Sequence, residues 1–341
     1  MDDSLRLADW TTFRIGGPAD RIVVARTDDE VIATAREADS AGTPLLVVSG
    51  GSNMLVADEG FRGTALVITT TGVTVNCTDT VDLCVAAGEP WDDLVKRAVN
   101  EGWSGLEMLS GIPGLVGAAP VQNIGAYGAE VASVVRRVRA YDRATGQITT
   151  LEPADCRFGY RRSLFKQATG RYIVLSVDLR LRLFEQSAPI EYAELARHLS
   201  VEVGGTAPIT EVRRAVLELR RGKGMVLDES DHDTWSAGSF FTNPVITADA
   251  AAALPESAPR FPQPDGSIKT SAAWLIDHAG FDKGYGTGPA RLSSKHVLAL
   301  TNRGDATAQD IITLARAIRE RVRTTYGISL DPEPLLVDLT L

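Results

Sequence analysis

The stretch GLEMLSGIPGLVGAAPVQNIGAYGAE, residues 105–130, decides how this chain is read. It carries Gly105, Gly111, Gly114, Gly117, Gly125 and Gly128, six glycines in 26 residues. Regular helix or strand tolerates so much glycine poorly, because each one loses more conformational freedom on folding than any other residue. The stretch is also too apolar for a solvated linker. Bare backbone of this kind suits a surface lying against a ligand or another backbone, where a side chain would obstruct the approach.

Upstream, Trp91, Leu94, Val95 and Ala98 predict a helix over about 91–101. Val73–Val75 and Val81–Val85 bracket a polar turn and predict a β-hairpin. Further back, 21–25 and 45–48 are β-rich and flank a helix with Val31, Ile32, Ala35 and Ala38 on one face. Asp28 is the expected N-cap and Gly42 the stop. A strand–helix–strand unit of this length predicts a parallel, right-handed crossover. Its second strand runs into Gly50-Gly51-Ser52-Asn53.

Downstream, residues 134–183 read as strands and turns. Thr210 is expected to cap a helix bearing Val212, Ala215, Val216 and Leu219, with Arg220 and Arg221 complementing its negative end. The irregular, polar stretch that follows places a domain boundary near 222. Pro255, Pro259, Pro262 and Pro264 predict a loop over 249–267. A last helix spans about 307–326 and closes at Gly327.

Composition narrows the function. At about 150 residues per domain, 341 residues suggest two or three domains. The formal charge is 35 minus 44, or −9, which argues against nonspecific nucleic-acid binding but leaves room for a local phosphate site. Cys77, Cys84 and Cys156 form no Cys-x-x-Cys pair, and His198, His232, His278 and His296 have no metal-ligand spacing, so no metal is expected. No run of about 18 uncharged apolar residues occurs, and the acidic Met1-Asp2-Asp3-Ser4 start is unlike a secretory signal. The cytoplasm is the expected compartment.

Five segments could carry chemistry. Gly50 to Leu55 follows a strand and could form a backbone anion nest, or simply end the strand. It is neither Gly-x-Gly-x-x-Gly nor a Walker sequence, which disfavours a nicotinamide dehydrogenase of the Rossmann type. Gly111 to Gly128 offers bare backbone, Gln122, Asn123 and Tyr127, a set suited to a flat heteroaromatic ligand bearing a diphosphate. Arg161-Arg162 beside Tyr160 could fork a carboxylate or phosphate, or form a solvated basic turn. Ser239, between Gly238 and Phe240-Phe241, could donate a proton if a cation stabilised its oxyanion; a β-edge turn with both rings in the core is the alternative. Glu333, between Pro332 and Pro334, sits in a stiff extended segment.

In this order, from Thr12-Phe13-Arg14-Ile15-Gly16-Gly17 to Glu333-Pro334, the segments resemble the UDP-N-acetylenolpyruvoylglucosamine reductase family across nearly the whole chain. The resemblance implies an α+β fold. Two FAD-binding lobes of the vanillyl-alcohol-oxidase type would span 1–70 and 71–222, and a C-terminal substrate domain 223–341. It implies that Gly50, Gly51, Ser52, Asn53, Met54 and Leu55, with Ile112, Pro113, Gly114, Gly117, Gln122, Asn123, Gly125, Ala126 and Tyr127, hold FAD. Arg161, Ser239 and Glu333 match the family's catalytic set. Tyr192 looks like the substrate-closing tyrosine of its longer subtype, and Lys223 and Asn243 resemble UDP-contacting positions. Phe261 stands where a tyrosine often contacts the nucleotide, and Ser294-Lys295-His296 where some members carry glutamines.

The implied reaction uses NADPH and the enolpyruvyl ether of UDP-N-acetylglucosamine in peptidoglycan precursor synthesis, with no obligate protein partner evident. Arg161 and Glu333 would stabilise charge developing on the carboxylate, Ser239 would protonate the adjacent carbon, and Lys223 could stabilise the serinate. Two other readings share parts of this pattern. One is a different flavin oxidase of the same fold acting on an aldonolactone or alcohol, and the other a nonenzymatic nucleotide-sugar sensor.

Overall fold

The computed structural model describes residues 6–341, so the acidic start at Met1–Ser4 lies outside the described residues. The chain divides into two compact units, each assembled from separate stretches. The larger comprises Ala19–Gly50 and Arg62–Val226; the smaller comprises the residues up to Pro18, Gly51–Phe61 and Leu227–Leu341. The chain passes into the smaller unit for the last time between Val226 and Leu227.

In the larger unit, strands Ala19–Ala25 and Leu45–Val48 flank the Asp28–Ala41 helix, and both belong to a three-stranded sheet. They are not neighbours: Phe61–Ile68 lies between them and runs parallel to Leu45–Val48. The helix starts one residue earlier than expected. Thr27, not Asp28, is the N-cap, because Thr27 and Glu30 close a reciprocal capping box. Gly42 ends the helix in the left-handed region, at φ +63.

The second sheet of this unit is antiparallel along its main path, in the order Gln147–Leu151, Val135–Asp142, Tyr172–Leu183, Thr80–Ala86, Val73–Cys77. Registers Val138↔Val177, Val177↔Val85 and Val85↔Val73 lay a row of valines across it. Three of the four are fully buried, which is what β-branched residues on a core face supply. The Trp91–Asn100 helix adds Trp91, Leu94, Val95 and Ala98 to the same core. The Ile209–Gly222 helix corrects another expectation: Pro208 precedes it, and Thr210 lies inside its first turn.

The smaller unit packs the Ala308–Tyr326 helix through Ile311, Ile312, Ala315, Ile318 and Val322, all buried. Thr307 and Asp310 form its capping box, and Gly327 closes it. A parallel pair, Met54–Val56 with Leu335–Val337, brings the end of the chain beside the glycine turn. The proline-rich 249–267 stretch is not all loop. The Ala248–Ala252 helix enters it, and strand Arg260–Pro262 pairs with Ile268–Thr270, since prolines are tolerated on an edge strand.

Candidate active site and cofactor cradle

In the larger unit, the glycine block is stitched to its surroundings by backbone. The amides of Trp91, Val116 and Gly117 donate to the carbonyls of Gly114, Glu89 and Ala87 at 3.0, 2.9 and 2.8 Å. A Cβ on Gly117 would stand 2.6 Å from the Cβ of Ala87. One on Gly50, at φ +72, would stand 2.9 Å from the Cα of Gly114. Two of the candidate cofactor glycines thus answer to a neighbouring backbone. Ile112, Pro113 and Gly114 remain half-exposed and able to meet a ligand.

Asp92, on the Trp91–Asn100 helix, fixes the front of the block. It accepts from the Gly111 amide at 2.6 Å and from both terminal nitrogens of Arg213 at 2.7 and 2.8 Å. Burial pushes its carboxyl up, but the arginine fork and the amide outweigh burial and hold it below the ordinary value.

The block's second half is pinned by Asn123. This fully buried residue sits at φ +43, and its Nδ2 donates to Glu130 at 2.8 Å and to the Gly159 carbonyl at 3.0 Å. Its Oδ1 accepts from the Ala132 amide at 3.1 Å. Gln122 accepts from Lys166 at 3.1 Å, and Ser163 donates to the Val121 carbonyl at 2.7 Å. Arg161, itself left-handed at φ +50, lays its terminal nitrogens on the carbonyls of Gly125 at 3.0 Å and Asn123 at 3.4 Å. A bulky residue in that backbone region is uncommon and is kept where its surroundings over-determine it. Tyr127, at φ +51, is buried, and its ring meets the ring of half-exposed Tyr192 edge-on at 5.4 Å. Burial pushes its phenol up to about 12.

Two groups escaped the sequence reading. Arg220 does not simply serve the helix end; its Nη2 donates to the Met225 carbonyl at 2.7 Å, while its Nε is buried with no hydrogen-bond partner. Burial lowers its pKa to about 10. The signal was the spacing Val212, Val216, Arg220, which puts the guanidinium on the apolar stripe. Glu194 is the other. It accepts from the Nζ of Lys223 at 2.5 Å.

In the smaller unit, the segments that carry Ser239 and Glu333 are joined through Phe240. The Phe240 amide donates to the Leu298 carbonyl, and the Glu333 amide donates to the Phe240 carbonyl, both at 2.8 Å. Phe240 and Phe241 are fully buried, as a core turn requires, yet Ser239 and Glu333 beside them are half-exposed. Asn53 donates through Nδ2 to the Glu333 carbonyl at 3.3 Å, and the Leu335 amide donates to the Asn53 carbonyl at 2.9 Å. Gly51 gives its carbonyl to the Thr12 amide, and Ser52 is half-exposed beside it. Met54 and Leu55 are buried strand residues, so they can present only backbone to a ligand. The side-chain Oδ1 of Asn243 accepts from the Ala272 amide at 2.9 Å at the start of the Ala272–His278 helix. Phe261 is half-exposed, directly across from Lys269 in the small sheet. Lys295 pairs with Asp231 at 2.5 Å, and Ser294 donates to Asp233.

The residues fit FAD on two observations from the larger unit. Ser49 Oγ, at the start of the glycine turn, and Arg220 Nε, behind Gly111, are buried polar atoms without protein partners. A hydroxyl and a guanidinium N–H suit the oxygens of a dinucleotide.

Two family profiles match the chain. "FAD binding domain" covers residues 19–152, and "UDP-N-acetylenolpyruvoylglucosamine reductase, C-terminal domain" covers 229–337. The UDP-N-acetylenolpyruvoylglucosamine reductase of Streptomyces coelicolor is 54% identical over 98% of this chain and 90% of its own. That of Cutibacterium acnes is 51% identical over 99% and 91%. The crystal structure of the Thermus caldophilus enzyme superposes with a TM-score of 0.67 at 27% identity, covering 98% of this chain and 97% of its own. The α+β fold with its FAD-binding region therefore defines a flavin oxidoreductase. The chain belongs to the UDP-N-acetylenolpyruvoylglucosamine reductase family, and its cofactors are FAD and NADPH.

Proposed function

We propose that this chain reduces the enolpyruvyl ether of UDP-N-acetylglucosamine through Arg161, Ser239 and Glu333, and that it does so in the cytoplasm. FAD, when bound, would supply the hydride-transfer chemistry between NADPH and the substrate's enolpyruvyl group. Arg161 and Glu333 stabilise the charge that then develops on the carboxylate, where fixed charges and dipoles act with little reorganisation. Ser239 delivers the proton to the adjacent carbon. Lys223 and Asn243 bind the nucleotide side of the substrate and Tyr192 closes over it. Residues 1–70 and 71–222 act as cofactor lobes and 223–341 as the substrate domain. Gly50 to Leu55 and the 112–127 block hold FAD.

One observation supports this reading: the Glu333 amide donates to the carbonyl of Phe240, the residue after Ser239, on a turn anchored by two buried phenylalanines, and both Ser239 and Glu333 are half-exposed. A solvated loop serine would have no such anchor. The test separates the half-reactions. Ser239→Ala should let NADPH bleach the flavin at the wild-type rate but slow its reoxidation by substrate by about 10²–10⁴, the usual contribution of a positioned acid. Glu333→Gln should show the same split. Equal loss in both half-reactions would remove Ser239 from the proton-donor role.

A further inference from the structure

Glu194 lies in the first turn of the Ala193–His198 helix, two residues beyond Tyr192. That short helix docks on the Ile209–Gly222 helix through Leu195 and Ala196 against Val212, Ala215 and Val216, all buried. Apolar packing therefore holds it in place whatever its charges do. A hydrogen bond and an ion pair tie its ends to the same neighbour. His198 meets Glu218 at 2.8 Å, and Glu194 meets Lys223, the residue capping the long helix, at 2.5 Å. The Lys223 and Glu194 side chains are about a third exposed (33% and 38%), so a ligand can reach the pair. Glu194 also lies near enough to Tyr127 to reinforce the effect of burial on that phenol.

We propose that Glu194 is a positioning residue: it holds the Lys223 ammonium and yields it to the substrate's anionic group. This rests on reading Lys223 as a substrate contact. An ammonium has three donors, and Glu194 takes one. A phosphate or carboxylate arriving at the others stands beside the Glu194 charge, and like charges disfavour each other. Glu194 therefore competes with the substrate. It keeps Lys223 oriented when no anion is present and sets how tightly one is held.

The test uses the oxidised holoenzyme, with perturbation of the flavin spectrum reporting binding without turnover. The probes are UDP-N-acetylglucosamine, which offers only a diphosphate, and UDP-N-acetylmuramate, which adds a carboxylate. Glu194→Gln keeps the shape and an acceptor but removes the charge. It should tighten binding by roughly two- to five-fold, the range of a partly exposed ion pair. Tightening of both probes identifies the diphosphate as the competing anion; tightening of the second alone identifies the carboxylate. Glu194→Asp should bind as wild type, as should Glu218→Gln, which loosens the His198 tie and the exposed Arg214 pair but leaves Lys223 and Glu194 untouched. In a Lys223→Gln background, Glu194→Gln should add nothing. A neutral or weakening Glu194→Gln, or equal tightening with and without Lys223, would overturn the role of Glu194. If Lys223→Gln binds both probes like wild type, the assignment of Lys223 itself fails, and this proposal with it.

Discussion

Asn123→Ala is the sharpest test of how the glycine block holds Arg161. The native side chain makes three hydrogen bonds from a fully buried position, one to the Glu130 carboxylate and two to backbone. A bond to a charged group contributes about 1.5–3 kcal/mol and a neutral one about 0.5–1.5. Their loss should cost about 2.5–6 kcal/mol, before any gain from relaxation. Alanine must also occupy φ +43, where a Cβ costs roughly 1–2 kcal/mol and asparagine is better tolerated. Asn123→Gly removes the same bonds without that conflict, but its freer unfolded chain costs about 0.5–1 kcal/mol. Alanine should therefore be worse than glycine by roughly 0.5–1 kcal/mol. Urea unfolding of both holoenzymes, followed by tryptophan fluorescence, gives the numbers. Both variants should also slow flavin reoxidation by substrate, because the carbonyls that seat Arg161 belong to Asn123 and Gly125. Losses below 1 kcal/mol in both would show that the Asn123 bonds do not hold this segment. An alanine variant as stable as the glycine variant would refute the backbone part of the reasoning.

Arg220→Met should leave the unfolding free energy of the FAD-free protein within about 1 kcal/mol of wild type, since it removes an unpaired buried donor along with the Met225 bond. FAD should nevertheless dissociate about tenfold more readily, read as flavin fluorescence on dilution; a large loss of stability with unchanged FAD retention would make Arg220 structural. Asp92→Asn should destabilise at neutral pH. The folded Asp92 carboxyl lies below its ordinary 3.8, so its contribution is present above that value and disappears as pH falls through the lower folded value. Melting curves of variant and wild type should converge in strong acid, and a gap independent of pH would mean that the Asp92 charge is not what stabilises the Gly111 turn.

What could be read in the sequence, and what could not, follows from the range of the signal. The Ala308–Tyr326 helix was legible because its apolar stripe and Gly327 are local facts. The cap at Thr27 was misread by one residue because Asp28 is equally cap-competent, and only the Glu30 side chain reaching back distinguishes them. Arg220 was hidden because a basic residue at a helix C-terminus has an ordinary explanation. Glu194 was hidden because nothing in its own helix shows that Lys223, 29 residues away, is its partner. The turn proposed to be catalytic lies further still beyond local pattern. No period in the sequence links Phe240 to Glu333, yet that bond fixes the backbone next to Ser239. Two consecutive buried phenylalanines break the in–out alternation of a strand, so this backbone must bend, and the bend is held from one side by Leu298 and from the other by Glu333. A serine on a free loop would lose rotamer freedom each time it aligned with a carbon. On this turn the backbone's share of that cost is met during folding, which is what the proposed proton transfer from so weak an acid as Ser239 would require.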